Sequence, residues 1–119
     1  MQSPLRITMR DIPPSDAVEQ HVRQHASKLE RLCSTLTACH VTIETPHRHK
    51  THGNHYRVRI DLSVPGSELV VARDPAARRE HEDAYAAVDA AFEDAERMLK
   101  DHMQKKRSAT RRSEARIDG

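Results

Sequence analysis

The segment from residue 82 to residue 102 constrains the fold more than any other, because its apolar residues recur at helical spacing. One apolar stripe along this predicted helix contains Tyr85, Val88, Phe92, Ala95 and Leu99. Two of the three aromatic residues in the chain lie on the stripe, and aromatic side chains bury large apolar areas. We therefore expect this helix to supply much of the core, with Tyr85 and Phe92 both inside it.

Shorter patterns predict the rest of the fold. An apolar helix face runs from Val18 to Cys33, with Ser15 as the N-cap residue. Alternation of apolar and polar residues predicts strands over residues 5–9, 39–43, 56–64 and 69–72, the last after a turn at Pro65–Gly66. Each helix and the longest strand has one apolar face. We therefore expect an α+β fold of order β-α-β-β-β-α, with two helices packed on one face of an antiparallel four-stranded sheet.

Length and charge indicate how the chain is divided. The 119 residues suffice for one two-layer domain, which we expect to span residues 1–104. Residues 105–119 are predicted to be a basic, disordered tail, because the apolar stripe stops near Gln104. From residue 100 to the end there are seven bases and three acids, whereas residues 80–96 contain seven acids and neither Lys nor Arg. A basic end of this kind favours a polyanionic partner.

Several classes of function find no support in the sequence. No apolar run approaches the roughly 20 residues that span a bilayer, and the N-terminus lacks the parts of a signal peptide. Cys33 and Cys39 fall on apolar faces and are predicted to be reduced core residues. There is no Gly-rich phosphate loop and no nucleophile–base spacing, and acids such as Asp89 are expected to be solvated. We predict a non-catalytic, cytoplasmic protein without a cofactor.

The start of the last predicted helix, Asp83-Ala84-Tyr85-Ala86-Ala87-Val88-Asp89, resembles the corresponding helix of the ribosome hibernation promoting factors. This family is also known as ribosome-associated inhibitors or sigma-54 modulation (S30EA) proteins. Lys28-Leu29-Glu30 at the end of the first helix and Pro65-Gly66-Ser67-Glu68-Leu69 at the hairpin resemble the same family. The resemblance implies a short, single-domain member whose fold is close in shape to a double-stranded RNA-binding domain. It also implies binding to the decoding region of the small ribosomal subunit and inhibition of translation under stress.

Basic residues of both helices are the candidate RNA contacts, because cations at several points can hold a phosphate backbone without base contacts. These residues are Lys28, Arg31, Arg97, Lys100, Lys105, Lys106 and Arg107. The resemblance makes the small ribosomal subunit and its rRNA the expected partner, with no DNA and no membrane, and the protein a monomer or weak dimer. Ordinary i,i+4 ion pairs would instead neutralise bases: Glu19–Arg23, Glu93–Arg97, Glu96–Lys100 and Asp101–Lys105. An RNA- or protein-binding module with no ribosomal role is the alternative function.

Four histidines lie close together in the predicted loop between the second and third strands: His47, His49, His52 and His55. Imidazoles in such a loop can surround one zinc, nickel or copper ion. Arg48 and Lys50 beside them would repel a cation, and solvated or RNA-contacting histidines explain the composition equally well. We expect no resident metal, and a metal-binding protein that uses this loop is the second alternative.

Overall fold

The computed structural model describes residues 5–45, 56–73 and 83–117, with side chains of the last helix as far as Arg107. Its elements follow the predicted order β-α-β-β-β-α. They are β1 (Leu5–Arg10), α1 (Asp16–Leu32), β2 (Ala38–Glu44), β3 (Arg57–Val64), β4 (Ser67–Arg73) and α2 (Ala84–Ile117). The chain therefore has the predicted α+β fold, with two helices on a four-stranded sheet.

The sheet has the strand order β1-β2-β3-β4 and is mixed rather than antiparallel. β2, β3 and β4 form the predicted antiparallel meander, in which Ile60 pairs with Val41 on one side and with Val71 on the other. β1 runs parallel to β2, with Ile7 opposite Val41. The expectation of an antiparallel sheet is wrong at this edge. The α1 connection carries the chain back across the sheet, so β2 starts at the same end as β1.

The hydrophobic core lies between the sheet and the two helices. Alternate residues of β2 and β3 point into it, and the largest fully buried side chains come from both strands and both helices. They include Val41, Ile43, Val58, Ile60, Leu62, Val22 and Leu99. Cys33 and Cys39 are buried free thiols, as predicted. The opposite face of the sheet carries the polar half of each alternation, which leaves it open to solvent.

Local signals fix the ends of several elements. Ser15 Oγ accepts a hydrogen bond from the Val18 amide at 3.3 Å and caps α1 as predicted. Asp83 Oδ1 accepts from the Tyr85 amide at 2.9 Å at the start of α2. Gly66 has φ +75° in the β3–β4 turn, which a residue with a Cβ atom adopts only at a cost. The two hydrogen bonds cap the helix starts, and Gly66 allows the tight turn of the hairpin.

α1 and α2 lie side by side and run in the same direction. The ring centroids of His21 and Tyr85 are 5.2 Å apart, and those of His25 and Phe92 are 4.9 Å apart. The later residue of α1 thus contacts the later residue of α2, as expected for two parallel helices. Phe92 is buried, but Tyr85 is 40% exposed. The expectation that both aromatics belong to the core is therefore wrong for Tyr85. It lies in the first turn of α2 and faces α1 instead of the sheet.

The last helix is longer than its apolar stripe. Its last described side chain that packs against the core is Met103, yet the helix continues to Ile117. The division into a domain of residues 1–104 and a tail of residues 105–119 stays a prediction. Within the described ranges, neither helix combines the length and apolar character needed to span a membrane.

Candidate nucleic-acid interface

The predicted bases of α1, Lys28 and Arg31, both lie on the exposed surface of that helix. Lys28 follows His25 by three residues, so helical geometry places it on the flank of α1 that faces α2. Arg31 lies on the side of α1 opposite the buried Leu29. Among the residues that the structure describes, neither Lys28 nor Arg31 takes part in an ion pair. No described acid therefore neutralises these two charges.

The predicted bases in the middle of α2 are exposed as well, but each lies beside an acid of the same helix. Lys100 Nζ is 3.2 Å from Glu96 Oε1, which confirms this i,i+4 pair. A guanidinium nitrogen of Arg97 is 3.9 Å from Asp94 Oδ1. Arg97 also lines a groove between α2 and β4, on the side of α2 away from α1. α2 thus presents partly neutralised bases, and Arg97 is separated from the bases of α1.

The three remaining predicted bases, Lys105, Lys106 and Arg107, are exposed and follow the last core contact of α2. Arg107 comes seven residues after Lys100, so these two share one face of the helix. Lys105 lies on a different face. We use the name helix surface for the outer side of α1 and α2 that carries Lys28, Arg31, Lys100 and Arg107.

Three polar side chains link the two helices: His21 and His25 of α1 and Asp89 of α2. The Nε2 atom of each histidine lies 2.6 Å from the same oxygen, Asp89 Oδ1. Burial would raise the pKa of the Asp89 carboxyl, but hydrogen bonds from His25 and His21 and their charges outweigh it and hold this pKa below its usual value. The expectation that Asp89 is merely solvated is wrong, because it joins α1 to α2.

Aromatic rings hold both histidines of this link in place. His25 stacks on Phe92 with an angle of 11° between the ring planes. His21 meets both His25 and Tyr85 edge-on, with centroid distances of 5.1 and 5.2 Å. The i,i+4 spacing of His21 and His25 was visible in the sequence. Their closeness to Asp89 was not, because it depends on how α2 is rotated and shifted against α1.

The open face of the sheet is a second polar surface, but most of its charges are paired. Arg59 donates to both carboxylate oxygens of Asp61, and Arg57 lies 3.7 Å from Glu44. His40 hydrogen-bonds to Thr8 on the neighbouring strand at 2.9 Å. Arg6 and Arg10 of β1 lie on the same face, are exposed and form no ion pair with a described residue, so this face keeps positive charge along its β1 edge.

The remaining candidate groups are a thiol and the histidine loop. Burial, together with the negative charge of Asp61, raises the pKa of the Cys39 thiol to about 12. A thiol of this kind is unreactive at neutral pH. His47, His49, His52 and His55 lie outside the described residues, so a metal site in that loop stays an untested alternative.

Comparison with known protein families gives a match over residues 5–107 to the family described as Sigma 54 modulation protein / S30EA ribosomal protein. The chain belongs to this family. The match spans every described strand, all of α1 and α2 as far as Arg107. It confirms the resemblance carried by the segment from Asp83 to Asp89.

Curated relatives agree with the family match. Two proteins from Pseudomonas putida, both named ribosome hibernation promoting factor, are 40% identical to this chain over 60 residues. The matched region is 50% of this chain and 53% of each relative. The chain thus spans about half the length of the curated relatives it matches.

Solved structures show the same fold. A ribosomal subunit interface protein from Coxiella burnetii aligns with a TM-score of 0.67 and 15% identity, covering 84% of this chain and 97% of that one. The N-terminal domain of Thermus thermophilus Protein Y aligns with a TM-score of 0.64 and 23% identity, covering 86% of this chain and 99% of that one. At these identities the similarity establishes a shared β-α-β-β-β-α architecture.

Proposed function

We propose that this chain is a non-catalytic factor that binds the small ribosomal subunit and inhibits translation under stress. The observation that carries the proposal is the family match over residues 5–107. Relatives named ribosome hibernation promoting factor and ribosomal subunit interface protein support a ribosomal partner. The contact would be with rRNA of the decoding region, where a bound domain blocks the sites of mRNA and tRNA.

The helix surface is the part of the molecule best suited to this contact. Lys28 and Arg31 project from α1 without a described acid to neutralise them, and Lys100 and Arg107 lie on the outer side of α2. Folded RNA presents phosphates at several points, and binding of this kind depends on shape and charge more than on base contacts. Each phosphate that a base neutralises releases counterions, so salt weakens the binding.

Sedimentation with ribosomes tests the proposal. The purified protein is mixed with vacant ribosomes, separated small subunits or separated large subunits and is sedimented across a series of salt concentrations. We expect saturable binding to the small subunit, near one copy per subunit, that weakens as salt rises. A double-stranded RNA of unrelated sequence serves as the competitor and should displace the protein only at a large excess.

Two outcomes would contradict the proposal. Absence from every ribosomal fraction at low salt would mean that the chain keeps the fold without a ribosomal role. Equal affinity for unrelated double-stranded RNA would favour a general RNA-binding module. If the protein binds small subunits, addition to a cell-free translation reaction should lower protein synthesis in proportion to the fraction of subunits occupied.

A further inference from the structure

The link between the helices brings together three side chains that are common metal ligands. His21 and His25 stand one turn apart on α1, and Asp89 faces them from α2. One ring nitrogen of each histidine and one carboxylate oxygen of Asp89 all lie within 4.8 Å of one another. Each of these atoms has a lone pair that a metal can use when the imidazole is neutral with its proton on Nδ1 and the carboxyl is ionised. The geometry is therefore that of a three-ligand set supplied by two helices.

The contacts inside this set are unusually short for ordinary hydrogen bonds. Both nitrogen–oxygen distances are 2.6 Å, below the range of about 2.7 to 3.2 Å typical of N–H···O bonds, and both end on one oxygen. A single ion placed between the three atoms would replace both contacts. Zinc with bonds of about 2.0 to 2.2 Å in tetrahedral geometry keeps neighbouring ligand atoms about 3.3 Å apart. Each nitrogen–oxygen distance would then open by about 0.7 Å, a shift within reach of the half-exposed Asp89 side chain.

The surroundings favour an ion that binds nitrogen and remains accessible to water. The ring contacts of His25 with Phe92 and of His21 with Tyr85 hold the imidazoles in position before any ion arrives. The side chains of His21, His25 and Asp89 are 27%, 22% and 50% exposed, so an ion can enter from solvent and keep a water molecule as its fourth ligand. Two imidazoles and one carboxylate suit zinc and its neighbours in the first transition row better than magnesium or calcium.

We propose that His21, His25 and Asp89 form a binding site for one zinc ion, which clamps α1 to α2. This site is separate from the histidine loop at residues 47–55. Because the three ligands come from two helices, they meet only in the folded protein. Zinc should therefore bind the folded state and raise its melting temperature in a concentration-dependent way.

The test must first remove the competing histidines of the loop. In a quadruple variant, His47, His49, His52 and His55 are all replaced by Asn. Isothermal titration of this variant with zinc chloride at pH 7.5 should show one ion bound per chain with micromolar or tighter affinity. Zinc should also raise its melting temperature, and cobalt(II) should give the visible absorption bands of a tetrahedral site.

Single substitutions in this background identify the ligands. Asp89→Asn keeps the shape of the side chain but removes its charge, and it should weaken zinc binding roughly tenfold or more. His21→Gln should do the same, and it provides the test if circular dichroism shows that Asp89→Asn does not fold. His40→Gln is the matched control, because His40 is a half-buried histidine on the opposite face of the sheet.

The supporting and the contradicting results can be told apart. Loss of zinc affinity in Asp89→Asn and His21→Gln, with full affinity in His40→Gln, would support the site. Zinc affinity weaker than about 100 μM in the quadruple variant would overturn it, as would equal affinity in all of the single variants. No ribosome is present in these titrations, so their outcome is independent of the proposed ribosomal function.

Discussion

α1 and α2 each contribute predicted RNA contacts to the same surface, but they present their charges differently. Lys28 and Arg31 on α1 take part in no ion pair with a described residue, whereas Lys100 on α2 lies 3.2 Å from Glu96. Arg97 lies near Asp94 and faces the β4 side. Exposed ion pairs add little to stability, but each acid lowers the local positive potential that attracts phosphate. The comparison therefore predicts that α1 contributes more to RNA affinity than α2.

If α1 and α2 bind RNA as one rigid surface, loosening their packing should weaken binding. Phe92→Ala is the substitution expected to loosen it most. Phe92 is 2% exposed and stacks on His25, so its loss opens a cavity at the seam between the helices. We expect the free energy of unfolding to fall by about 3 to 5 kcal/mol. Urea denaturation followed by circular dichroism measures this change.

Binding by the Phe92→Ala variant then shows whether the helices act together. If the two helices bind RNA jointly, affinity for the small subunit should fall even at temperatures where the variant remains folded. A stability loss below about 1 kcal/mol would show that the seam is not a packed interface. Unchanged RNA affinity in the folded variant would show that α1 binds without help from α2.

The buried thiol of Cys39 makes stability depend on pH in the alkaline range. Its pKa rises from 9.0 to about 12 on folding, so the unfolded chain loses this proton first as pH increases. The contribution of Cys39 to the free energy of unfolding is therefore constant below pH 9. Between pH 9 and pH 12 the free energy of unfolding should fall by about 1 kcal/mol for each pH unit.

Denaturation of the native protein and of Cys39→Ala between pH 7 and pH 11 measures this effect. The native protein should lose stability faster than the variant above pH 9. Parallel curves for the two proteins would show that Cys39 titrates alike in the folded and unfolded states. Native protein at pH 7 should also leave Cys39 unmodified by a thiol reagent until denaturant is added.

Glu96→Gln changes only the balance of charge on α2. Removal of this acid frees Lys100, and we expect affinity for the small subunit to rise by roughly two- to threefold. Stability should change by less than about 0.5 kcal/mol, because Glu96 is exposed. Glu19→Gln is the matched control, since Glu19 pairs with Arg23 at 2.9 Å but neither was predicted to contact RNA. Equal gains in both variants would indicate a general charge effect.

Much of the fold was predictable because the apolar residues of a buried face recur at the period of their strand or helix. The alternation from Tyr56 to Val64 and the helical stripe through Phe92 and Leu99 each mark one buried face, and both elements formed as expected. The parallel pairing of β1 with β2 could not be seen in any single strand, because it depends on the route of α1. Tyr85 shared the spacing of the stripe, yet it meets His21 of α1 edge-on and is 40% exposed.

The candidate site was less predictable, because its features depend on the packing of distant segments. Lys28 and Arg31 could be named from their positions on α1, and the Glu96–Lys100 pair from its i,i+4 spacing, whereas the pairing of Arg97 with Asp94 instead of Glu93 was not predicted. His21 and His25 meet Asp89 only after both helices have docked on the sheet. Sequence reasoning chose the dense histidine loop as the metal candidate, since local density is visible where long-range contacts are not.

A matched pair of charge reversals tests whether α1 contributes more to RNA affinity than α2. Lys28→Glu with Arg31→Glu is compared with Arg97→Glu with Lys100→Glu, each in binding to separated small subunits across a salt series. Both variants change the net charge equally, so only the position of the charges differs. The account predicts a loss of roughly tenfold or more for the α1 variant, with a salt dependence shallower by about one for each lost phosphate contact. It predicts a smaller loss for the α2 variant. Equal losses, or a greater loss from α2, would contradict it.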